Sequence, residues 1–343
     1  MIRGILSALA ALAMAAGAAA ATWTPAPARP PPDAAPAGKP VRPRTGWVSV
    51  RPPDWMPDPP PAAADKPPVE VPLRRKEDGL FAEVKVNGKP AGQFLLDTGS
   101  LTHVVHTAVA DRLGLPALPA AGAVIGSAGS APGTVRSVQT LQVGPLSMSG
   151  HDVMAVDLSP TRPVFGFQAG GILGTPLFSR YPVTFDYAGA RLTVHEAGSF
   201  APPPGLQPFP LEVVRNRPYV KVRIDGRYEG RALVDTGTTG DLVFEAAFVK
   251  GHPDLVPRDA RRTGVVGLAG SRPRLVAPVN SVEVFGRTLR QVAAVFPGEE
   301  SVQGPGDGRI ATLGGGVLSR FRVTLDYRRR LAWVEDVPRR PRR

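Results

Sequence analysis

The stretch Leu95-Leu96-Asp97-Thr98-Gly99-Ser100 returns 138 residues later as Leu233-Val234-Asp235-Thr236-Gly237-Thr238. Each copy follows an alternating run that enters a two-residue turn. The first run is Phe81-Ala82-Glu83-Val84-Lys85-Val86-Asn87-Gly88, and the second is Tyr219-Val220-Lys221-Val222-Arg223-Ile224-Asp225-Gly226. Apolar-polar alternation is the period of a half-buried strand, and Asn-Gly or Asp-Gly is the chemistry of a tight hairpin turn. Further along, Val124-Ile125-Gly126-Ser127-Ala128-Gly129-Ser130 matches Val265-Val266-Gly267-Leu268-Ala269-Gly270-Ser271 at an offset of 141. Ile172-Leu173-Gly174 matches Thr312-Leu313-Gly314, and Val183-Thr184-Phe185-Asp186-Tyr187 matches Val323-Thr324-Leu325-Asp326-Tyr327, both at 140. Four blocks in one order at nearly constant spacing mark a duplicated β unit.

One Asp-Thr-Gly is an ordinary turn composition in which the Asp bonds its own backbone. Two copies in register, each after an apolar strand, point to chemistry. If the repeats are related by a two-fold axis, Asp97 and Asp235 converge on it. Two carboxylates at hydrogen-bonding distance cannot both ionise, so they share a proton. One then serves as base toward a water and the other as acid toward a carbonyl oxygen, which suffices to hydrolyse an amide. Gly99 and Gly237 lack a Cβ, so backbone N–H groups can come close to the carboxylates. Thr98 and Thr236 have hydroxyls able to bond across the axis. Ser100 and Thr238 can donate to the outer carboxylate oxygens.

The chain has 343 residues, 41 Lys+Arg against 29 Asp+Glu, 40 Pro, 38 Gly and no Cys. Without Cys, disulfide frameworks, thiolate metal sites and cysteine nucleophiles are excluded. The net charge of +12 does not mark a nucleic-acid binder. Of the basic residues 34 are Arg and only 7 Lys, they are scattered, and aromatics are 6%. Arg3 followed by the uncharged run Gly4 to Ala21 reads as an export signal, with a retained inner-membrane anchor as the alternative. Residues 22–72 contain 17 Pro in 51 positions and read as an extended Pro-rich spacer or pro-segment. Trp23, Trp47 and Trp55 fall there, and Gly46-Trp47-Val48-Ser49-Val50 is a candidate docking segment. The expected body is lobe 1 over 73–203 and lobe 2 over 204–337, followed by a basic tail, 338–343.

At both Asp-Thr-Gly loops, at Asp97 to Leu115 with its terminal Arg112-Leu113-Gly114-Leu115, and at Leu173-Gly174 and Leu313-Gly314, the chain resembles the aspartic protease superfamily, in particular retropepsin-like enzymes of bacterial envelopes. The resemblance spans residues 75 to 335 or so. It implies an all-β, bilobal fold of two β-barrel lobes with one cleft, Asp97 and Asp235 as the catalytic dyad, and an apolar-Gly strand crossing beneath each catalytic loop. It also implies a β-hairpin flap, for which Gly126, Ser127, Ala128 and Gly129, with Gly267, Leu268, Ala269 and Gly270, are the candidates. Segment 119–140 has no Tyr, unlike the flap of pepsin-type enzymes. That favours two fused retropepsin-like units, so one chain supplies both halves and acts as a monomer.

His103 and His106 have metal-pair spacing but no third ligand nearby in sequence, so a strand or loop surface is their expected place. Asp186 and Asp326 are expected to shape hairpins. The resulting reading is an exported aspartic endopeptidase that needs no cofactor or metal and cuts an envelope or membrane protein. The alternatives are an inactive peptide-binding relative, and a surface adaptor working through the Pro-rich segment and tail.

Overall fold

The computed structural model describes residues 68–126, 129–298 and 307–337, all within one compact unit. The export signal, most of the Pro-rich segment with its three Trp, flap candidates Ser127 and Ala128, and the basic tail lie outside the described residues. The fold is all-β and bilobal. Each lobe is an eight-stranded sheet. In lobe 1 the strand Gly79–Val86 pairs with Lys89–Leu96 on one side and with Gly129–Val143 on the other, which closes the sheet into a barrel. Lobe 2 repeats this with Arg217–Ile224 between Tyr228–Val234 and Gly270–Val284.

Local sequence accounts for these elements. Along Gly79–Val86 only Glu83 and Lys85 are exposed, so the alternation puts a full apolar face into the barrel. Asn87 and Gly88 adopt φ 51° and 75°, and Asp225 and Gly226 adopt 51° and 66°, as a type I′ turn requires. These turn residues also tie the barrel shut. The Asn87 Oδ1 accepts from the N–H groups of Gln139 and Thr140 at 2.9 and 3.0 Å, and the Asp225 Oδ1 accepts from Ser281 N–H at 2.8 Å.

A six-stranded sheet joins the lobes, with three strands from each half. Its centre is Val183–Asp186 paired antiparallel with Phe321–Asp326. Thr184 and Thr324, equivalent positions of the two repeats, lie opposite one another with hydroxyls 2.8 Å apart. Asp186 and Asp326 cap the turns that follow: Asp186 accepts from Gly189 N–H at 2.7 Å, and Asp326 from Arg328 and Arg329 N–H at 3.1 and 2.9 Å.

The edge of this sheet corrects one boundary. Val69–Pro72, expected to end the spacer, is a strand paired with Arg191–Val194. Val71 is buried, and the alternation Val69-Glu70-Val71 supplies one apolar face. Pro72 is tolerated because it ends an edge strand. Pro density hid a short strand that needed a neighbour 120 residues away.

Candidate functional site

In each lobe the strand leading to the Asp pairs in parallel with the apolar-Gly strand. Leu95 lies opposite Ile172 and Leu96 opposite Leu173; Leu233 lies opposite Thr312 and Val234 opposite Leu313. The Asp97 and Asp235 N–H groups then donate to Leu173 and Leu313 carbonyls at 2.9 and 3.0 Å. Glycine is required at the crossing. A Cβ on Gly174 would stand 2.2 Å from the Thr102 carbonyl oxygen, and one on Gly314 would stand 2.5 Å from that of Gly240. The sequence expectation of an apolar-Gly strand passing under each loop is met.

The two loops face each other across the pseudo-two-fold. Thr98 N–H donates to Thr236 Oγ1 and Thr236 N–H to Thr98 Oγ1, both at 3.1 Å. The hydroxyls donate onward to the other lobe's chain, Thr98 to the Val234 carbonyl at 2.6 Å and Thr236 to the Leu96 carbonyl at 2.8 Å. Within each loop one carboxylate oxygen is held by two N–H groups. Asp97 Oδ1 accepts from Gly99 and Ser100 at 2.8 and 2.9 Å; Asp235 Oδ1 accepts from Gly237 and Thr238 at 2.8 and 3.2 Å.

The carboxyls themselves are in hydrogen-bond contact and almost wholly buried, at 1% and 0% exposure. A Cβ on Gly99 would lie 2.7 Å from Asp235 Oδ2, and one on Gly237 would lie 2.5 Å from Asp97 Oδ2. Only glycine lets the loops approach this far. Burial, and then the neighbouring Asp235 charge, hold the Asp97 carboxyl well above its usual 3.8; the bonds from Gly99 and Ser100 pull the other way and lose. Such a pair can hold one proton between two oxygens and present base and acid on one face.

The hydroxyl support is asymmetric. Thr238 Oγ1 donates to Asp235 Oδ2 at 2.9 Å as expected, but Ser100 Oγ donates to the Thr102 carbonyl at 2.6 Å instead. Ser100 helps hold Asp97 through its backbone only.

Gly126 and Gly129 close one long hairpin, Ala117–Gly126 with Gly129–Val143. Gly267 and Gly270 close the other, Arg261–Gly267 with Gly270–Val284, around Leu268-Ala269. Leu268 is 3% exposed and belongs to an apolar cluster whose other buried members all come from lobe 1, including Phe81, Leu95, Val104, Phe165 and Ile172. The lobe-2 hairpin therefore reaches across and rests on the opposite wall.

His103 and His106 are not on a surface. They are 1% and 7% exposed, and each uses Nδ1 as an acceptor, from Gly174 N–H and Leu158 N–H respectively, both at 3.1 Å. Burial, then the nearby His151 and Arg180, push His103 down to about 3, so it stays neutral and braces the crossing Gly174. Among the described residues no cluster of His, Asp and Glu forms a metal site.

Two features escaped the sequence reading. Tyr187 and Tyr327 are fully buried with no hydroxyl partner among the described residues, and burial followed by nearby carboxylates raises both phenols. Arg217, also fully buried, occupies the position of Gly79 in the other repeat. Extending the repeat alignment two residues upstream of Phe81 and Tyr219 would have flagged it.

An aspartyl protease family model matches residues 82–177, the part of lobe 1 that carries Asp97, the first hairpin and the crossing Gly174. No curated protein matches the chain.

Proposed function

We propose that the chain is an aspartic endopeptidase in which Asp97 and Asp235 activate one water between them. The observation that carries this reading is the contact of two buried carboxyls, each held by its own pair of N–H groups, on loops exchanging hydrogen bonds across a two-fold. In the resting state one proton lies between the pair. The ionised carboxylate draws a proton from the water as it attacks the peptide carbonyl, and the protonated one donates to the carbonyl oxygen. Collapse of the tetrahedral species returns a proton to the leaving amine. Fixing the carboxylates by N–H donors before the reaction removes reorganisation from the barrier.

The substrate is an extended peptide strand admitted when the hairpins lift, since aspartates exposed by no more than 1% reach nothing in the closed state. One chain supplies both halves of the site, so the active species is a monomer. The signal over residues 4–21 directs the protein out of the cytoplasm, where an envelope or membrane protein is its substrate. No helix among the described residues is long and apolar enough to cross a membrane.

The test is incubation of the full chain, Asp97→Asn and Asp235→Asn with an unfolded protein over a range of pH. Cleavage by the wild type alone supports one shared site. Equal cleavage by all three, or none by the folded wild type, rejects it.

A further inference from the structure

The two walls of the cleft are built from equivalent positions but opposite chemistry. On lobe 1, Phe81 lies opposite Leu95, two residues before Asp97, and both belong to the apolar cluster on which Leu268 rests. A Cβ on Gly79 would sit 3.1–3.3 Å from Phe81, Leu95 and Phe165, so position 79 points into that cluster. On lobe 2, Tyr219 lies opposite Leu233, two residues before Asp235, and the position of Gly79 is Arg217.

Arg217 brings a charged group where the other wall is hydrocarbon. Its Nη2 donates to Asp307 Oδ2 at 3.3 Å, and the same oxygen accepts from Tyr219 Oη at 2.6 Å and Arg309 Nη1 at 3.3 Å. Arg309 in turn donates to Glu245 at 2.6 Å. Burial pushes the Asp307 carboxyl up, but Arg309, the Tyr219 bond and Arg217 outweigh it and keep it ionised. The Nε and Nη1 of Arg217 meet no acceptor among the described residues, although the side chain is 1% exposed. Buried charged donors left unmade are costly, so among the described residues the site is short of an acceptor. The hairpins differ in the same sense. Residues 261–284 carry Arg261, Arg262, Arg272 and Arg274 with a single acid at the far end, Glu283, whereas 117–143 carry Arg136 alone.

We propose that Arg217 makes the lobe-2 wall selective for an acidic peptide side chain, Asp or Glu, opposite an apolar side chain received by lobe 1. This rests on the peptide-hydrolase reading and deepens it. Arg217 is as buried as Asp235, and its strand pairs with the one that leads to Asp235, so the opening that admits substrate to the aspartates serves this wall too. A carboxylate oxygen supplies the missing acceptor and is favoured over an amide by its charge.

The test uses the full chain and quenched peptides identical except at one position next to a Phe, carrying Glu, Gln or Leu. Near neutral pH the wild type is expected to cut the Glu peptide roughly ten- to a hundredfold more efficiently than the Gln peptide, the range for a charge-assisted bond. Near pH 3, about a unit below the ordinary Glu value, the preference shrinks. Arg217→Gln removes the preference and leaves the need for Phe; Arg217→Lys keeps the charge and retains part of it. Equal efficiency for Glu and Gln by the wild type, or an unchanged ratio in Arg217→Gln, overturns the proposal. Binding of the same peptides to Asp97→Asn separates the two claims. Glu-ranked binding without any wild-type cleavage keeps the specificity and rejects the hydrolase; neither binding nor cleavage rejects both.

Discussion

Thr98 and Thr236, 138 residues apart, each donate an N–H to the other's hydroxyl at 3.1 Å. Each hydroxyl then spends its own proton on a carbonyl of the opposite lobe, so four buried hydrogen bonds cross the axis at the point where the aspartates meet.

This joint predicts a sharp split between conservative and isosteric changes. Thr98→Ser and Thr236→Ser keep the hydroxyl and should stay within about 1 kcal/mol of the wild type. Thr98→Val and Thr236→Val leave a buried N–H and a carbonyl unpaired, costing about 2–4 kcal/mol each. Denaturant midpoints check this, and loss of peptide cleavage should follow the Val variants, not the Ser ones.

The aspartate pair predicts a pH signature in stability. Asp97 has a folded value well above its usual 3.8, so between 3.8 and that value the folded state holds a proton the unfolded chain has released. Stability therefore falls as pH rises through this window and levels off above it. Asp97→Asn cannot ionise, so its stability relative to the wild type should climb over the same window. Urea melts at several pH values test the sign; a difference that does not change with pH would refute it. In activity, Asp97→Asn and Asp235→Asn should each lower kcat by about a thousandfold or more, with the double variant no worse, because the pair acts as a unit.

The strand Val69–Pro72 predicts where the folded body begins. A chain starting at 73 loses four strand pairings and the buried Val71, and should be less stable by about 2 kcal/mol or more than one starting at 67. Thermal unfolding of the two truncations measures it, and equal midpoints would place the strand outside the cooperative unit.

The Leu268 contact predicts a hairpin that can be loosened from its tip. Leu268→Ala gives up about 2–3 kcal/mol of apolar burial at the lobe-1 wall. Trypsin should then cut faster at the hairpin's own Arg261, Arg262 and Arg274, with the global melting midpoint little changed. Unaltered cleavage rates would mean the tip does not hold the hairpin down.

What could be read along the chain was whatever depends on near neighbours. The Phe81–Gly88 and Tyr219–Gly226 alternations forced strands and type I′ turns, because side-chain period and positive φ are local requirements. The repeat offset by itself placed Asp97 with Asp235 and Thr98 with Thr236, since a duplicated unit has few ways to pair but about an axis. The glycines of the Asp-Thr-Gly loops and at 174 and 314 were legible for the same reason. Tertiary structure alone decided the features that hang on distant partners. Val69–Pro72 became a strand only because Arg191–Val194 offered it an edge. His103 turned inward to accept from Gly174, 71 residues on, and Ser100 chose a carbonyl over the carboxylate. Leu268 found its burial on the other lobe, and Arg217 its carboxylate 90 residues away. Periodicity says which face is apolar; it carries nothing about which surface will arrive to cover it, and that is settled by how two twisted barrels close on each other.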